Sequence, residues 1–315
     1  MSLPVEPESR TRFAFFEGAI VPIEDARVSI MCNTLHYGTG CFGGIRAYWD
    51  EDREQLNVFR AFDHYQRLLR SSKIILARVD YSIEDLVAIT VDLLRREGFR
   101  QNAYVRPLIY KDDGVFRVQL HAAKDKLCIF SQPVGAYIQA SGALKVAISS
   151  WRRVDDNMIP ARGKLCGSYI NSSLAKSEAN LAGYDEALEL NQDGHVSEAS
   201  AANLFMVRDG VLITPPVTSN VLEGITRHTV MQIAKDELGV QTVEREIDRS
   251  ELFIADEAFL CGTGVQVAAI GMIEHRLVGA GNEGPICAAV RDLYGRIVTG
   301  RVPKYAEWLT PVPEA

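Results

Sequence analysis

The chain is short of several things that would place it in a class. Its six cysteines, at positions 32, 41, 128, 166, 261 and 287, form no CxxC pair and sit mostly within apolar stretches. Neither a zinc site nor a disulfide framework is expected, no metal is implied, and a reducing cytoplasm is the simplest setting. Basic residues never run together, and the net charge is −7, which argues against a nucleic-acid binder. No segment approaches the roughly 18 consecutive apolar residues of a membrane span. The opening Met1-Ser2-Leu3-Pro4-Val5-Glu6-Pro7-Glu8 has no basic region ahead of an apolar core, so no secretory leader is expected. Internal repeats and low-complexity segments are also missing. What is present is ordinary globular composition, 315 residues with 47% hydrophobic and 24% charged, and the expected partners are small molecules and further copies of the chain.

Periodicity predicts strands and helices in runs, which is an α+β pattern. A hairpin is expected at Phe13–Phe16 and Ala19–Pro22 and a third strand over Cys41–Trp49. Helices follow at 62–76 and from Ser82, where Ser-Ile-Glu-Asp resembles a capping box and Gly98 supplies the stop. Strands over 102–110 and 126–134 close a first unit, 1–134. The small, flexible composition of 135–142 reads as a linker to a second unit, 143–315. There, strands are expected at 144–150, 186–190, 203–207, 211–214, 242–247, 258–262 and 265–272. Helices are expected at 171–182 and from 225, and one over 287–298 ends the fold.

One stretch stands out, Pro160-Ala161-Arg162-Gly163-Lys164-Leu165-Cys166-Gly167-Ser168-Tyr169-Ile170-Asn171. A lysine between glycines is most often a solvated loop residue; confined, it can lose its proton near neutrality and form a Schiff base with an aldehyde. Gly224-Ile225-Thr226-Arg227 puts a glycine and a hydroxyl at a helix start, where free N–H groups favour a phosphate. Cys261-Gly262-Thr263-Gly264 repeats that chemistry after a strand. Tyr104 and Arg106 alternate onto one strand face, and the arginine can grip a carboxylate with two hydrogen bonds. Arg46 and Arg60 fall at strand-like sites, and Glu198 is an acid in a run of small residues that calls for a cationic partner.

Taken in order, these motifs, with Tyr37-Gly38-x-Gly40-x-Phe42-x-Gly44-x-Arg46, Tyr104-x-Arg106-Pro107 and Ser197-Glu198 leading to Asn203-Leu204-Phe205, resemble the branched-chain aminotransferases. These are pyridoxal 5'-phosphate enzymes of fold type IV, with a small N-terminal and a larger C-terminal α/β domain, and the likeness runs from Phe13 to Gly300. The resemblance implies transamination between Leu, Ile or Val and 2-oxoglutarate, through an internal aldimine on Lys164 and pyridoxamine phosphate. It assigns Glu198 to the ring nitrogen, Tyr169 to the phenolic oxygen, and Arg60, Ile225, Thr226 and Thr263 to the phosphate. Tyr104 and Arg106, with the Gly264 and Val265 backbone, would hold the substrate carboxylate. Tyr37, Phe42, Gly44 and Tyr137 would shape an apolar pocket, and Arg46 would help to place acidic substrates. It also implies a homodimer or higher oligomer in which Tyr37 and the loop after Tyr110 come from the neighbouring subunit.

The chain departs from the family pattern at Gly43, Ala201-Ala202 and Gly264-Val265-Gln266-Val267. This leaves open an (R)-selective amine transaminase, or a branched-chain enzyme with that added activity, in which Arg117 of the charged loop enters the pocket to meet a carboxylate. A non-catalytic protein on the same fold is the reading from another class, and intact Lys164, Glu198 and Tyr169 argue against it.

Overall fold

A computed structural model describes residues 12–135 and 142–314. The first part is an antiparallel sheet with helices on one face. It contains β1 (Phe13–Phe16), β2 (Ala19–Pro22), a short helix α1 (Asn33–Tyr37), β3 (Gly40–Phe42), β4 (Ile45–Asp50) and β5 (Gln55–Phe59). Then come α2 (Ala61–Ile74), α3 (Ile83–Glu97), β6 (Ala103–Lys111) and β7 (Asp125–Pro133). In α3 the Ser82 hydroxyl accepts from the Asp85 N–H while the Asp85 carboxylate accepts from the Ser82 N–H, and Gly98 ends the helix at φ 57°. The face carrying Leu86, Thr90 and Leu93 is buried, as its spacing predicts.

The expected strand over Cys41–Trp49 is two strands. Phe42 pairs with Leu108 and Ile45 with Val105, so the break at Gly43-Gly44 lies opposite Arg106-Pro107. Pro107 has no N–H to donate and the ladder lapses there. A Cβ on Gly44 would lie 2.0 Å from the Tyr104 hydroxyl, so glycine is what lets that ring lie against the strand break.

The second part holds β8 (Leu144–Arg152), α4 (Tyr169–Leu181), β9 (Glu186–Leu190), β10 (Val196–Ala199), β11 (Asn203–Arg208), β12 (Val211–Thr214) and α5 (Ile225–Leu238). It continues with β13 (Thr242–Glu244), β14 (Glu257–Gly262), β15 (Gln266–Ile273), β16 (Arg276–Leu277), α6 (Pro285–Val298) and β17 (Leu309–Val312). Its sheet runs β10-β9-β8-β15-β14-β11-β12-β13, with β16 beside β15. The β8–β9, β8–β15 and β12–β13 pairs are parallel. Strand β10, which carries Glu198, is not among the expected strands, because its Ser and Ala content reads as loop. Nor does α6 end the fold. β17 crosses back and pairs antiparallel with β5, Leu309 opposite Phe59 and Val312 opposite Leu56.

The two sheets share a core. Tyr48 and Phe59 of the first pack with Phe205 and Phe259 of the second, with α5 and α6, and with Trp308. Arg60, left-handed at φ 50° ahead of α2, is fastened into this junction by Thr229 at 2.8 Å, Asp63 at 2.7 Å and the Trp308 ring at 4.8 Å.

Candidate active site

A cavity of about 530 Å³ lies between the sheets. Lys164 is brought there by a short tie to β3. The Phe42 N–H donates to the Lys164 carbonyl at 3.0 Å, Cys41 bridges Leu165, and the Lys164 N–H donates to the Ser71 hydroxyl of α2 at 3.2 Å. Gly38 and Gly40 make room for this tie. A Cβ on Gly38 would lie 2.7 Å from the Gly167 Cα, and one on Gly40 would lie 3.2 Å from the Cys166 sulfur. The early glycine motif is therefore packing for the lysine loop.

The Lys164 Nζ donates to the Tyr169 hydroxyl and lies 5.1 Å from the centre of the Phe42 ring. Burial, reinforced by Arg67 and Arg106 and opposed by Tyr104 and Glu198, lowers the amine from 10.5 to about 7. Burial raises the Tyr169 hydroxyl to about 12, with Glu198 adding to the effect, so the tyrosine keeps its proton at neutrality while the amine is divided between charged and neutral forms.

Three donors hold the Glu198 carboxylate. It accepts from Arg153 at 2.6 Å, from Asn203 at 2.8 Å and from the Leu222 N–H at 3.2 Å. Burial pushes its carboxyl up while Arg153 and the Leu222 N–H pull it down. The α5 N-terminus opens onto the same space at Gly224, Ile225 and Thr226, and its N-cap has no side-chain hydrogen bond. Its free N–H groups, with the turn at Thr263, Gly264 and Val265, are available to an anion. Arg106 stacks on Phe42 at 4.5 Å and donates to the Tyr104 hydroxyl at 3.2 Å, while its buried Nε has no partner.

The cavity thus gathers Phe42, Gly44, Arg46, Tyr104, Arg106, Lys164, Tyr169, Glu198, Ile225, Thr226, Thr263, Gly264 and Val265. Arg46 reaches it but donates to the carbonyls of Gly264 at 3.2 Å and Gly135 at 2.9 Å, so it fastens the 264 turn. Arg60 is not among the residues lining the cavity; its Nε and Nη1 are engaged at the sheet junction by Asp63, His228 and Thr229. Tyr37 is exposed and outside the lining, and Arg117, half-buried and ion-paired with Asp113 at 2.9 Å, is outside it too. Tyr137 lies outside the described residues. Among the described residues the one metal-type cluster, Asp193, His195 and Glu246, is not on the cavity.

Two residues escape the sequence reading. Arg67 of α2 lines the cavity and gives one bond, to the Glu223 carbonyl at 3.3 Å. Burial lowers its guanidinium, which leaves a cation seeking an anion. Its signal is the polar stripe His64, Arg67 and Ser71 at helical spacing, inward on a helix whose apolar face draws the eye first. Arg153, the partner of Glu198, follows a strand and carries no local signal.

These donors fit pyridoxal 5'-phosphate: a depressed amine for the aldehyde, a hydroxyl at that amine, a buried carboxylate for a protonated ring nitrogen, and Arg67 with a bare helix N-terminus for the phosphate.

A model of "Amino-transferase class IV" matches residues 40–273. The chain is 45% identical over 300 residues to a probable branched-chain-amino-acid aminotransferase of Aquifex aeolicus, covering 95% of this chain and 96% of that protein. It is 37% identical over 304 residues to the Escherichia coli K12 branched-chain-amino-acid aminotransferase, covering 95% and 97%. Among solved structures, the Thermoproteus uzoniensis branched-chain aminotransferase with norvaline superposes with a TM-score of 0.92 at 42% identity, covering 96% of this chain and all (100%) of that one. The Thermobaculum terrenum branched-chain amino acid aminotransferase in its PLP-bound holo form also gives 0.92, at 36% identity, covering 96% and 99%. With cavity, donors and relatives in agreement, the chain belongs to the branched-chain aminotransferase family of fold type IV, an enzyme of aminotransferase class IV that works with pyridoxal 5'-phosphate.

Proposed function

We propose that the protein transfers the amino group of branched-chain L-amino acids to 2-oxoglutarate. The observation that carries this reading is Lys164, its amine at about 7, in one cavity with the Glu198–Arg153 pair and with Arg106. When bound, the cofactor supplies an electron sink and carries the amino group between the two half-reactions. The chain does the rest. Lys164 Nζ is neutral for a large share of molecules at neutral pH, so it can take the α-proton and return it, while Tyr169 fixes its direction. Glu198 keeps a ring nitrogen protonated. Ile225, Thr226, Thr263 and Arg67 hold the phosphate, with Arg67 in the place assigned from sequence to Arg60. Arg106 and Tyr104 hold the substrate carboxylate, with the Gly264 and Val265 N–H groups, and the Phe42 ring and Gly44 line the space for an aliphatic side chain.

We read the working form as a dimer in the cytoplasm. Ile30, Leu35, Phe116, Val118 and Ile170 are all more than half exposed. They form one face, since Asn33 donates to the Val115 and Arg117 carbonyls, His36 meets the Phe116 ring at 5.2 Å, and Gly38 packs on Gly167 just before α4. Tyr37 and Arg117 lie on that face, where a second copy would receive them. We also read residues through 134 as the small unit and those from 143 as the large one, with 135–142 as linker and β17 lent back to the first.

The test is a half-reaction on the cofactor-loaded enzyme, following loss of the cofactor's absorbance with L-leucine, L-glutamate, D-alanine and (R)-1-phenylethylamine given separately. Rapid loss with the first two alone is expected. Comparable loss with the (R)-amine would move the reading to an amine transaminase, and no loss with L-leucine would remove it.

A further inference from the structure

Behind Glu198 lies a second carboxylate that the reaction as derived does not use. Glu189 on β9 is 0% exposed, and neither of its carboxylate oxygens makes a hydrogen bond. The cation paired with it is Arg153, with Nη1 3.9 Å from its Oε1. The other Arg153 nitrogens are committed, Nη2 to Glu198 at 2.6 Å and Nε to the Asn220 carbonyl at 3.1 Å. One guanidinium therefore stands between two buried carboxylates, gripping one and facing the other. Glu186, a third carboxylate earlier on β9, is already satisfied by Lys176 at 2.8 Å and Ser200 at 2.6 Å.

A buried carboxylate without hydrogen bonds is costly, and an aliphatic residue would fill a strand interior without that cost. Packing gives no reason for Glu189. The groups facing it are Arg153 from the segment after β8, Glu198 from β10 and Glu186 from β9 itself. Burial raises it to about 7, with Arg153 opposing and the two glutamates reinforcing.

We propose that Glu189 is a positioning residue acting through Arg153: its charge decides how much of the guanidinium Glu198 feels, and so how strongly that end of the cavity attracts a protonated ring nitrogen. When Glu189 is ionised, Arg153 is shared and the trio carries one net negative charge. When it is protonated, the trio is neutral and the attraction weakens. This rests on the reading that Glu198 faces the ring nitrogen.

The test is binding of pyridoxamine 5'-phosphate to the cofactor-free full-length protein, followed by fluorescence. This probe has an amine in place of the aldehyde and cannot condense with Lys164, so the lysine's own chemistry drops out. Wild type, Glu189→Gln and the similarly sized Glu189→Leu should bind equally at about pH 5.5. At about pH 8.5 both variants should bind roughly 3- to 10-fold more weakly, the ratio turning over near neutrality. A ratio that stays flat with pH overturns the proposal, since lost packing alone would not follow proton binding. Glu198→Gln separates the two failures. If it binds as wild type does at both pH values, the placement of Glu198 fails and takes this inference with it. If it weakens binding while the Glu189 ratio is flat, only the role of Glu189 fails. Should neither Glu189 variant fold, the wild type and Glu198→Gln decide together: in both, an infrared carboxylic-acid C=O band must disappear as pH rises through neutrality, and its absence overturns the proposal.

Discussion

Lys111 and Lys164 are both drawn in from solvent, and they are treated in opposite ways. Lys111 is 1% exposed, and its ammonium meets Asp125 at 2.7 Å and the Leu76 carbonyl at 3.3 Å. Lys164 has no carboxylate on its nitrogen, only the Tyr169 hydroxyl, and Arg67 and Arg106 press against its charge. Burial is common to both. What separates them is whether the neighbours complete the charge or oppose it. A buried lysine that is paired holds structure, and one that is crowded by cations is left free to react.

The sharpest way to break the contrast is to remove each amine. Lys164→Ala should lower the rate of keto-acid formation from L-leucine by about 10³-fold or more, with little change in folding. An active Lys164→Ala would end the mechanism. Next in size, Arg67→Leu should weaken pyridoxal 5'-phosphate binding by roughly 10- to 100-fold and move the amine's titration upward, because a cation opposing its proton is gone. Absorbance on adding the cofactor reads the first and the pH dependence of amine acylation in the cofactor-free protein reads the second; an unmoved midpoint would deny Arg67 its place beside Lys164. Lys111→Met should leave turnover per folded molecule intact but cost about 3 kcal/mol of stability in denaturant unfolding, by leaving the Asp125 carboxylate with the Arg78 N–H but no cation.

The smallest effect sharpens the comparison through pH. Between about 7 and 10.5 the unfolded chain keeps a proton on Lys164 that the folded chain has lost. Stability of the cofactor-free protein therefore gains a contribution that rises with pH across that window. Lys164→Met should flatten that slope in melts taken from neutral to alkaline pH, and a slope identical to wild type would mean the amine titrates normally.

How much of this is legible in the sequence depends on how local the cause is. The α3 capping box, that helix's stop at Gly98 and the strands β11 and β12 follow from neighbouring residues and match the expected places. The cavity set around Lys164 is legible only because several motifs recur in one order, since no short segment fixes where Glu198 and Lys164 meet. What the sequence does not show shares a physical origin in distance along the chain. Arg60 precedes α2 and Arg67 lies about two turns further on; Arg67 lines the cavity, while Thr229 and Trp308, from far downstream, hold Arg60 at the sheet junction. Likewise Pro107 interrupts a strand more than sixty residues earlier, and β17 finds its partner across the whole fold.

That last strand carries a consequence for how the molecule is made. During vectorial synthesis β5 has an open edge while nearly everything between residues 60 and 308 emerges, because the segment that covers it, Leu309–Val312, lies far downstream. The first sheet cannot be completed as an independent early product. Its final hydrogen bonds form only after the second sheet exists, and they also fix Trp308 against Phe59 and Arg60. Assembly of the junction between the sheets thus waits for residues 308–312, by which point every segment that lines the cavity has been made.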